Sequence, residues 1–529
     1  MNRDRCFAGP LALLGGLLLA SSLYAFDATY DTNSNTIKTS SDAGGSALLP
    51  AYGSLSFKAG AGSQAVQLNQ NFSDDANRIR ADVTAYTLWA NGAELLGNVR
   101  QFTEQTLAHN AVTIDRTNMS RGSGTVGGAN HRFTSGNLTL FEPMNNGLSI
   151  SEVDGQRAYA NMASRYQRML ILNTVDPSHP YVVDVFRVAG GKTHDYTHHG
   201  AVLFDQTSEA TVPLNPMPGD YPLLEGGEVW TEPSKSGSPF SYYGFFRDVQ
   251  QGVATNRSQI TYLDASDLRR DLRLWMTGEE GSTIYLGVTP NPSRDDTTPA
   301  SFYQHWRPSA IIRHRVTTGP LQSLYANVVE PMANGMSTIE SVERVPLSGG
   351  GQEAVALHVS FTDGRSDTYL INLRNPKIAG ATGGSDTIAT TDNAYCLTGR
   401  VGVHVARRGA ESRVWTVGAR KFKYGSRTVT TNPAPSYSGN IIGMTRKAAG
   451  DANDAFIVDV SIPAGATLQG RRLSVTFQGM SEMFQIDRVE TINGQTHVIL
   501  TTESVAPERT ITGANTFEIV LSTSALTKR

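Results

Sequence analysis

From about residue 50 onward the chain repeats one local pattern, short runs rich in Val, Ile, Thr, Tyr and Phe closed by Gly, Asn, Asp or Pro. Apolar residues spaced by two place alternate side chains on opposite faces of a strand, whereas an amphipathic helix needs spacings of three and four, which are scarce here. A chain patterned this way buries its apolar faces by stacking sheets. Clear runs cover 111–116, 168–175, 181–188, 282–289, 310–317, 337–346, 353–362 and 366–373, and a second set covers 401–407, 413–419, 455–462, 472–478 and 484–502. Asp363-Gly364 and Asn493-Gly494 predict type I′ hairpin turns, because both central residues tolerate positive φ. With 39% apolar and 18% charged residues, 51 Gly and 23 Pro, the chain is too apolar to stay disordered and too sparsely charged for a coiled coil.

Between the two sets, residues 376–393 carry Gly380, Gly383 and Gly384 among Ser, Thr and Asp, a composition expected for a linker. The predicted fold is all-β: a large antiparallel, supersandwich-like β-sandwich over 51–375, the linker 376–393, and a smaller β domain over 394–529. Residues 26–50 look like a loose leader. Ahead of them, Arg3 and Arg5, an apolar stretch from Phe7 to Ala20 and the small residues before Ala25 predict a signal peptide over 1–25, and hence a secreted or periplasmic product. The same stretch also fits the last buried helix of a preceding domain. It falls short of the ~20 residues that a membrane span needs. If the signal is removed, Cys6 goes with it and Cys396 is unpaired, which excludes an internal disulfide and a thiolate metal cluster. A net charge of -3 gives no general attraction to nucleic acid.

Five stretches follow one another in an order that carries a resemblance. They are Asn77–Asp82 leading into Tyr86–Leu96; Thr106-Leu107-Ala108-His109-Asn110-Ala111-Val112 with Asp115; Tyr181–Arg187; Gly190-Gly191-Lys192-Thr193-His194-Asp195-Tyr196-Thr197-His198-His199-Gly200; and Val328-Val329-Glu330-Pro331 followed by Asp363–Asp367. Together they resemble the C-terminal β-sandwich region of the heparinase II/III-like polysaccharide lyases. The resemblance implies β-elimination on a uronic-acid polysaccharide: a carboxylate neutralised by cations or donors, a Tyr or His that takes the neighbouring proton, and an acid that meets the leaving oxygen. It also implies a helical (α/α) toroid, here a separate domain or chain, because this sequence shows no such pattern. The family's zinc-type site is expected to be absent or degraded. Where the resemblance would place His and Asp ligands this chain has Arg78, Arg80 and Asn98, leaving His109, and one imidazole does not make a zinc site.

The resemblance makes His109 the catalytic candidate, with Arg78, Arg80, Asn110, His194 and Tyr196 as substrate contacts. Each has a structural reading as well. His109 either lines a sugar cleft or bonds a loop carbonyl, and Arg78 and Arg80 either grip successive carboxylates from one face of a strand or form a solvated face beside Asp74, Asp75 or Asp82. Strand alternation would send His194, Tyr196 and His198 to one side and Asp195, Thr197 and His199 to the other, so three imidazoles do not converge from this segment. Trp89, Trp230 and Trp306 are sugar-stacking candidates, with core burial the expectation for Trp89. No Gly-x-Ser-x-Gly elbow is present, and Gly349-Gly350-Gly351 lacks the Lys and helix of a phosphate loop. Two functions remain open: the β part of a lyase acting on acidic polysaccharide, or a non-catalytic polysaccharide-binding or surface-associated β protein.

Overall fold

The computed structural model describes residues 28–31, 36–39, 45–49, 53–72, 81–99, 104–120, 134–143, 147–231, 241–278, 280–292, 303–351, 354–372, 386–407, 411–430, 435–463, 466–477, 480–501 and 516–527. The expected signal peptide, Arg78, Arg80 and the glycines at 380, 383 and 384 lie outside them. The fold is all-β, and among the described residues the helical pieces are 3₁₀ turns of three or four residues.

An eight-stranded antiparallel sheet forms the middle layer, in the order Gln206–Ala210, Gln259–Asp264, Asp271–Met276, Gln322–Met332, Tyr181–Gly190, Ala163–Asn173, Leu148–Asp154 and Asn137–Pro143. Both of its faces are covered. Along Ala163–Asn173, Tyr166, Leu170 and Leu172 enter one apolar cluster while Met169 and Ile171 enter another on the opposite face. That double burial explains why Met169-Leu170-Ile171-Leu172 is an unbroken apolar run, and each such side chain contributes about 1.5–3 kcal/mol by leaving water.

Over the first face lie a six-stranded sheet, which includes Val112–Ile114, Thr193–His199, Trp306–Arg315 and Thr283–Pro290, and a five-stranded sheet built on Ser54–Ala59, Val66–Asn71 and Tyr86–Ala90. Over the second face lies a nine-stranded sheet around Ala354–Phe361, Ser366–Asn372, Tyr395–Ala406 and Ser412–Tyr424. Six strands between Ser436 and Val520 close a barrel with its own core of Phe456, Leu473, Val475, Ile486, Val498 and Phe517.

The two hairpins differ. Asn493 and Gly494 have φ of 51° and 79°, as a type I′ turn requires, and Ile492 pairs with Gln495. At 363–364 only Gly364 has positive φ, 80°. The Asp363 carboxylate instead accepts the Arg365 N–H at 2.9 Å, and Gly364 N–H bonds Phe361 C=O at 2.9 Å, so the loop is a longer turn closed by glycine. Trp89 also departs from expectation, being 40% exposed, because it occupies an outward position of Tyr86–Ala90. In the expected leader, Ala28–Asp31 pairs with Thr36–Thr39 and Ala47–Leu49 pairs with Ser54–Ala59.

Strands on either side of 376–393 pair directly, Ser366–Asn372 with Tyr395–Ala406, and Thr387–Thr390 within that segment is itself a strand of the sheet. The final strand, Ser522–Thr527, leaves the barrel to pair with Ser412–Tyr424. A chain ending at residue 375 would therefore lose Val401, Val403 and Trp415, which lie beside Tyr369 and Ile371 over the second face of the middle sheet, and leave part of that face uncovered. The expected outcome is loss of cooperative thermal unfolding and strong binding of an apolar dye; a cut chain that melts like the intact one would show that 51–375 folds by itself.

Candidate functional site

Four of the five signature stretches meet in the interior between the middle sheet and the six-stranded sheet; Glu330 and Asp367 of the fifth bond elsewhere, to Trp275 and to Tyr181. Arg168 lies at the centre, fully buried, with Nε 2.8 Å from Asp184 Oδ1 and Nη2 2.5 Å from Asp184 Oδ2. Its Nη1 donates to Asn110 C=O at 2.6 Å and to Thr84 C=O at 3.1 Å. The rings of Tyr86, Phe186 and Tyr196 surround the guanidinium at 4.4, 4.8 and 5.5 Å. Tyr196 donates its hydroxyl to Asp184 at 2.8 Å and stacks on Tyr325 at 4.9 Å. Thr84 holds φ at 74°, a strained value for a β-branched residue, at the position whose carbonyl is turned toward Arg168.

The remaining candidates surround this pair. Asn110 donates to Tyr86 C=O at 3.1 Å and accepts from His199 N–H at 2.8 Å, tying two sheets to the turn that precedes Val112–Ile114. His109 closes the 3₁₀ turn Thr106–Ala108, and its carbonyl accepts Thr197 Oγ1 at 2.6 Å. His194 donates Nε2–H to Gly190 C=O at 2.6 Å, which leaves Nδ1 to accept from the Ser323 hydroxyl at 2.7 Å. His109, Asn110, His194 and Tyr196 are all fully buried. They are brought together, but under cover and without an open face.

Alternation along Thr193–His199 divides the segment by side. His194, Tyr196 and His198 face the middle sheet, where His198 stacks on Tyr262 at 5.6 Å and 17°. On the other side Asp195 accepts from Arg313 Nε and Nη2 and from the Tyr243 hydroxyl, and His199 bonds Leu107 C=O and Ser309. Among the described residues no three or more His, Cys, Asp or Glu side chains are placed to hold a metal ion.

Outside the six-stranded sheet the chemistry reaches solvent. Loops around 217–231 and 241–246 cover the sheet with Leu223, Tyr242, Tyr243, Phe245 and Phe246. Arg116 lies over the Tyr243 ring at 3.7 Å and pairs with Glu225 and Glu228, and Arg313 and Arg315 converge on the same Glu225. Burial alone would raise the Glu225 carboxyl, but the Arg315 hydrogen bond and the Arg313 and Arg116 charges hold it below its ordinary value. Nearby, Tyr221 stacks on Trp230 with Arg247 beside both. Trp306 stacks on Tyr303 at 6.0 Å and is half-buried. Tyr221 escapes a reading by periodicity because its loop has none, and Arg247 because it only opens a strand; the aromatic run Tyr242-Tyr243-Gly244-Phe245-Phe246 was the available signal that a second apolar layer covers this sheet.

No protein-family model and no curated protein matches the chain. Among solved structures it is similar to a heparinase III at 14% identity and TM-score 0.38, covering 61% of this chain and 41% of that one. A heparan sulfate lyase from Pedobacter heparinus is similar at 12% identity and TM-score 0.38, covering 62% and 43% of the two chains. A Paenibacillus xanthan lyase is similar at 9% identity and TM-score 0.33, covering 98% of this chain and 54% of that one. The chain thus spans about two fifths of the heparinase III and heparan sulfate lyase chains.

Two predictions follow from the buried centre. Replacing Arg168 by Met strands the Asp184 carboxylate in the interior and should lower urea-unfolding stability by about 3–5 kcal/mol, most of it recovered when Asp184→Leu is added. A single variant as stable as the parent would remove the pair from its central place.

Burial depresses His198 to about 3 and His194 to about 4. The unfolded chain then binds more protons than the folded one between the depressed and ordinary values, so these groups stabilise the fold above the ordinary histidine range and that stability is lost as pH falls. Asp367, pushed up by burial to about 6, acts with the opposite sign, its stabilisation lost as pH rises through that value. Melting should therefore fall on acidification below neutrality, and less steeply in His198→Phe, which keeps the stack on Tyr262; parallel pH curves for the two proteins would clear His198 of the effect.

Proposed function

We propose that the chain is the β part of a secreted or periplasmic, lyase-related protein, and that it binds acidic polysaccharide without carrying out elimination by its own residues. The observation that carries this reading is the convergence of four separate signature stretches on one pair: Tyr86, Asn110, Asp184 and Tyr196, each from a different stretch, all contact Arg168 or one another. Strands with coincidental similarity would have no reason to place these residues together. The burial of His109 favours binding over catalysis, since a base must come within hydrogen-bond reach of the proton it takes. Elimination would require a toroid supplied by a separate domain or chain. Retention of the full chain on immobilised heparan sulfate, chondroitin sulfate, alginate or xanthan tests the reading, together with ultraviolet absorbance of any unsaturated uronate product. Expected are retention by at least one polymer and a flat absorbance trace; rising absorbance would restore the catalytic reading, and no retention would remove the polysaccharide altogether. His109→Ala should lower the melting temperature and leave retention unchanged, whereas the reverse pattern would place His109 at the sugar.

A further inference from the structure

Arg247 differs from Arg116, Arg168, Arg313 and Arg315 in having no carboxylate partner among the described residues. It is half-buried at the start of Arg247–Val253, and one nitrogen, Nη1, donates to Gly244 C=O and Phe246 C=O. No Asp or Glu among the described residues lies within ion-pair distance of it, while Arg116, Arg168, Arg313 and Arg315 each have one. The remaining edge of its guanidinium fork thus meets no carboxylate among the described residues.

The rings beside it are fixed in place. Trp230 lies flat against the backbone at Gly244, where a Cβ would stand only 2.2 Å from the indole Cε3, and Phe245 meets Trp230 edge-on at 4.9 Å. Tyr221 stacks on Trp230 at 5.4 Å and 19° and is 37% exposed. Arg247 is 4.4 Å from the Tyr221 centroid and 5.6 Å from that of Trp230. Trp230 and Arg247 therefore both lie against Tyr221, whose side chain still reaches solvent. An aromatic face suits the apolar side of a sugar ring, and an uncommitted guanidinium suits a planar carboxylate or a sulfate.

We propose that Tyr221, Trp230 and Arg247 form the subsite for one anionic sugar residue, its ring against the exposed part of Tyr221 and its carboxylate or sulfate on Arg247. The proposal rests on the acidic-polysaccharide reading above and deepens it by placing the contact on the outer face of the six-stranded sheet, among residues other than His109. Arg315, exposed and already paired with Glu225, supplies the control for general positive charge.

The test is affinity electrophoresis of the full chain in heparan sulfate, chondroitin sulfate, alginate, xanthan and neutral dextran, comparing Tyr221→Ala, Arg247→Gln and Arg315→Gln, with thermal melts to confirm folding. Tyr221→Ala touches an exposed side chain and guards against loss of fold in the arginine variant. Expected is retardation by at least one acidic polymer and not by dextran, weakened about tenfold or more in Tyr221→Ala and Arg247→Gln and little changed in Arg315→Gln. Equal retardation of all four proteins would overturn the subsite while leaving acidic-polysaccharide binding standing. Retardation by dextran that survives Arg247→Gln would overturn the anionic part, and absence of retardation by any acidic polymer would overturn both the subsite and the reading beneath it.

Discussion

The fold is organised around a buried charge that must be answered on every side. An ion pair in the interior costs several kcal/mol per ion in lost hydration, a cost offset only by good geometry and by hydrogen bonds to the remaining donors. Arg168 meets those terms through two contacts to Asp184, two backbone carbonyls and three aromatic rings. Each partner comes from a different part of the chain: Thr84 and Tyr86 from the five-stranded side, Asn110 from the turn before Val112–Ile114, Asp184 from the middle sheet and Tyr196 from the six-stranded sheet. A slip of one residue in any of these strands would turn the partner to the opposite face and strand the charge, so the pair fixes register as well as packing.

Once that centre is dry, the histidines near it have no choice of state. His194, His198 and His199 each lie on the strand that passes over the pair, and burial, reinforced at His198 by the Arg168 charge and at His199 by Arg307, keeps them neutral. Neutral imidazoles then serve as paired donors and acceptors, as His199 does between Leu107 C=O and Ser309. A dense group of titratable side chains is here a consequence of two sheets meeting over a buried arginine.

What the sequence revealed follows the range of the interactions. Period-two runs are local, so the strands and the Asn493-Gly494 turn were legible. The turn at Asp363-Gly364 was misread because an Asp carboxylate can close a turn through its own hydrogen bond, leaving only the glycine at positive φ. The pairing of Ser366–Asn372 with Tyr395–Ala406 joins strands across a polar, Gly-rich stretch, and composition within that stretch says nothing of what its ends do. Alternation correctly separated His194, Tyr196 and His198 from Asp195, Thr197 and His199, yet it cannot say that both sides are covered. That depends on the middle sheet for one face and on an aperiodic aromatic loop for the other.

Arg168 and Arg247 show how one chemical group takes opposite parts. Both lie against aromatic rings, Arg168 against three and Arg247 against Tyr221 and Trp230. In the interior no solvent ion can arrive, so the chain must supply the carboxylate itself, and Asp184 does so. At the half-exposed position water screens an unpaired guanidinium cheaply, and a built-in carboxylate would only compete with any anion from outside. Among the described residues the lack of a carboxylate beside Arg247 is therefore tolerable for stability, whereas the same lack beside Arg168 would cost several kcal/mol. Sequence spacing does not distinguish the two; the difference lies in how much water each arginine keeps.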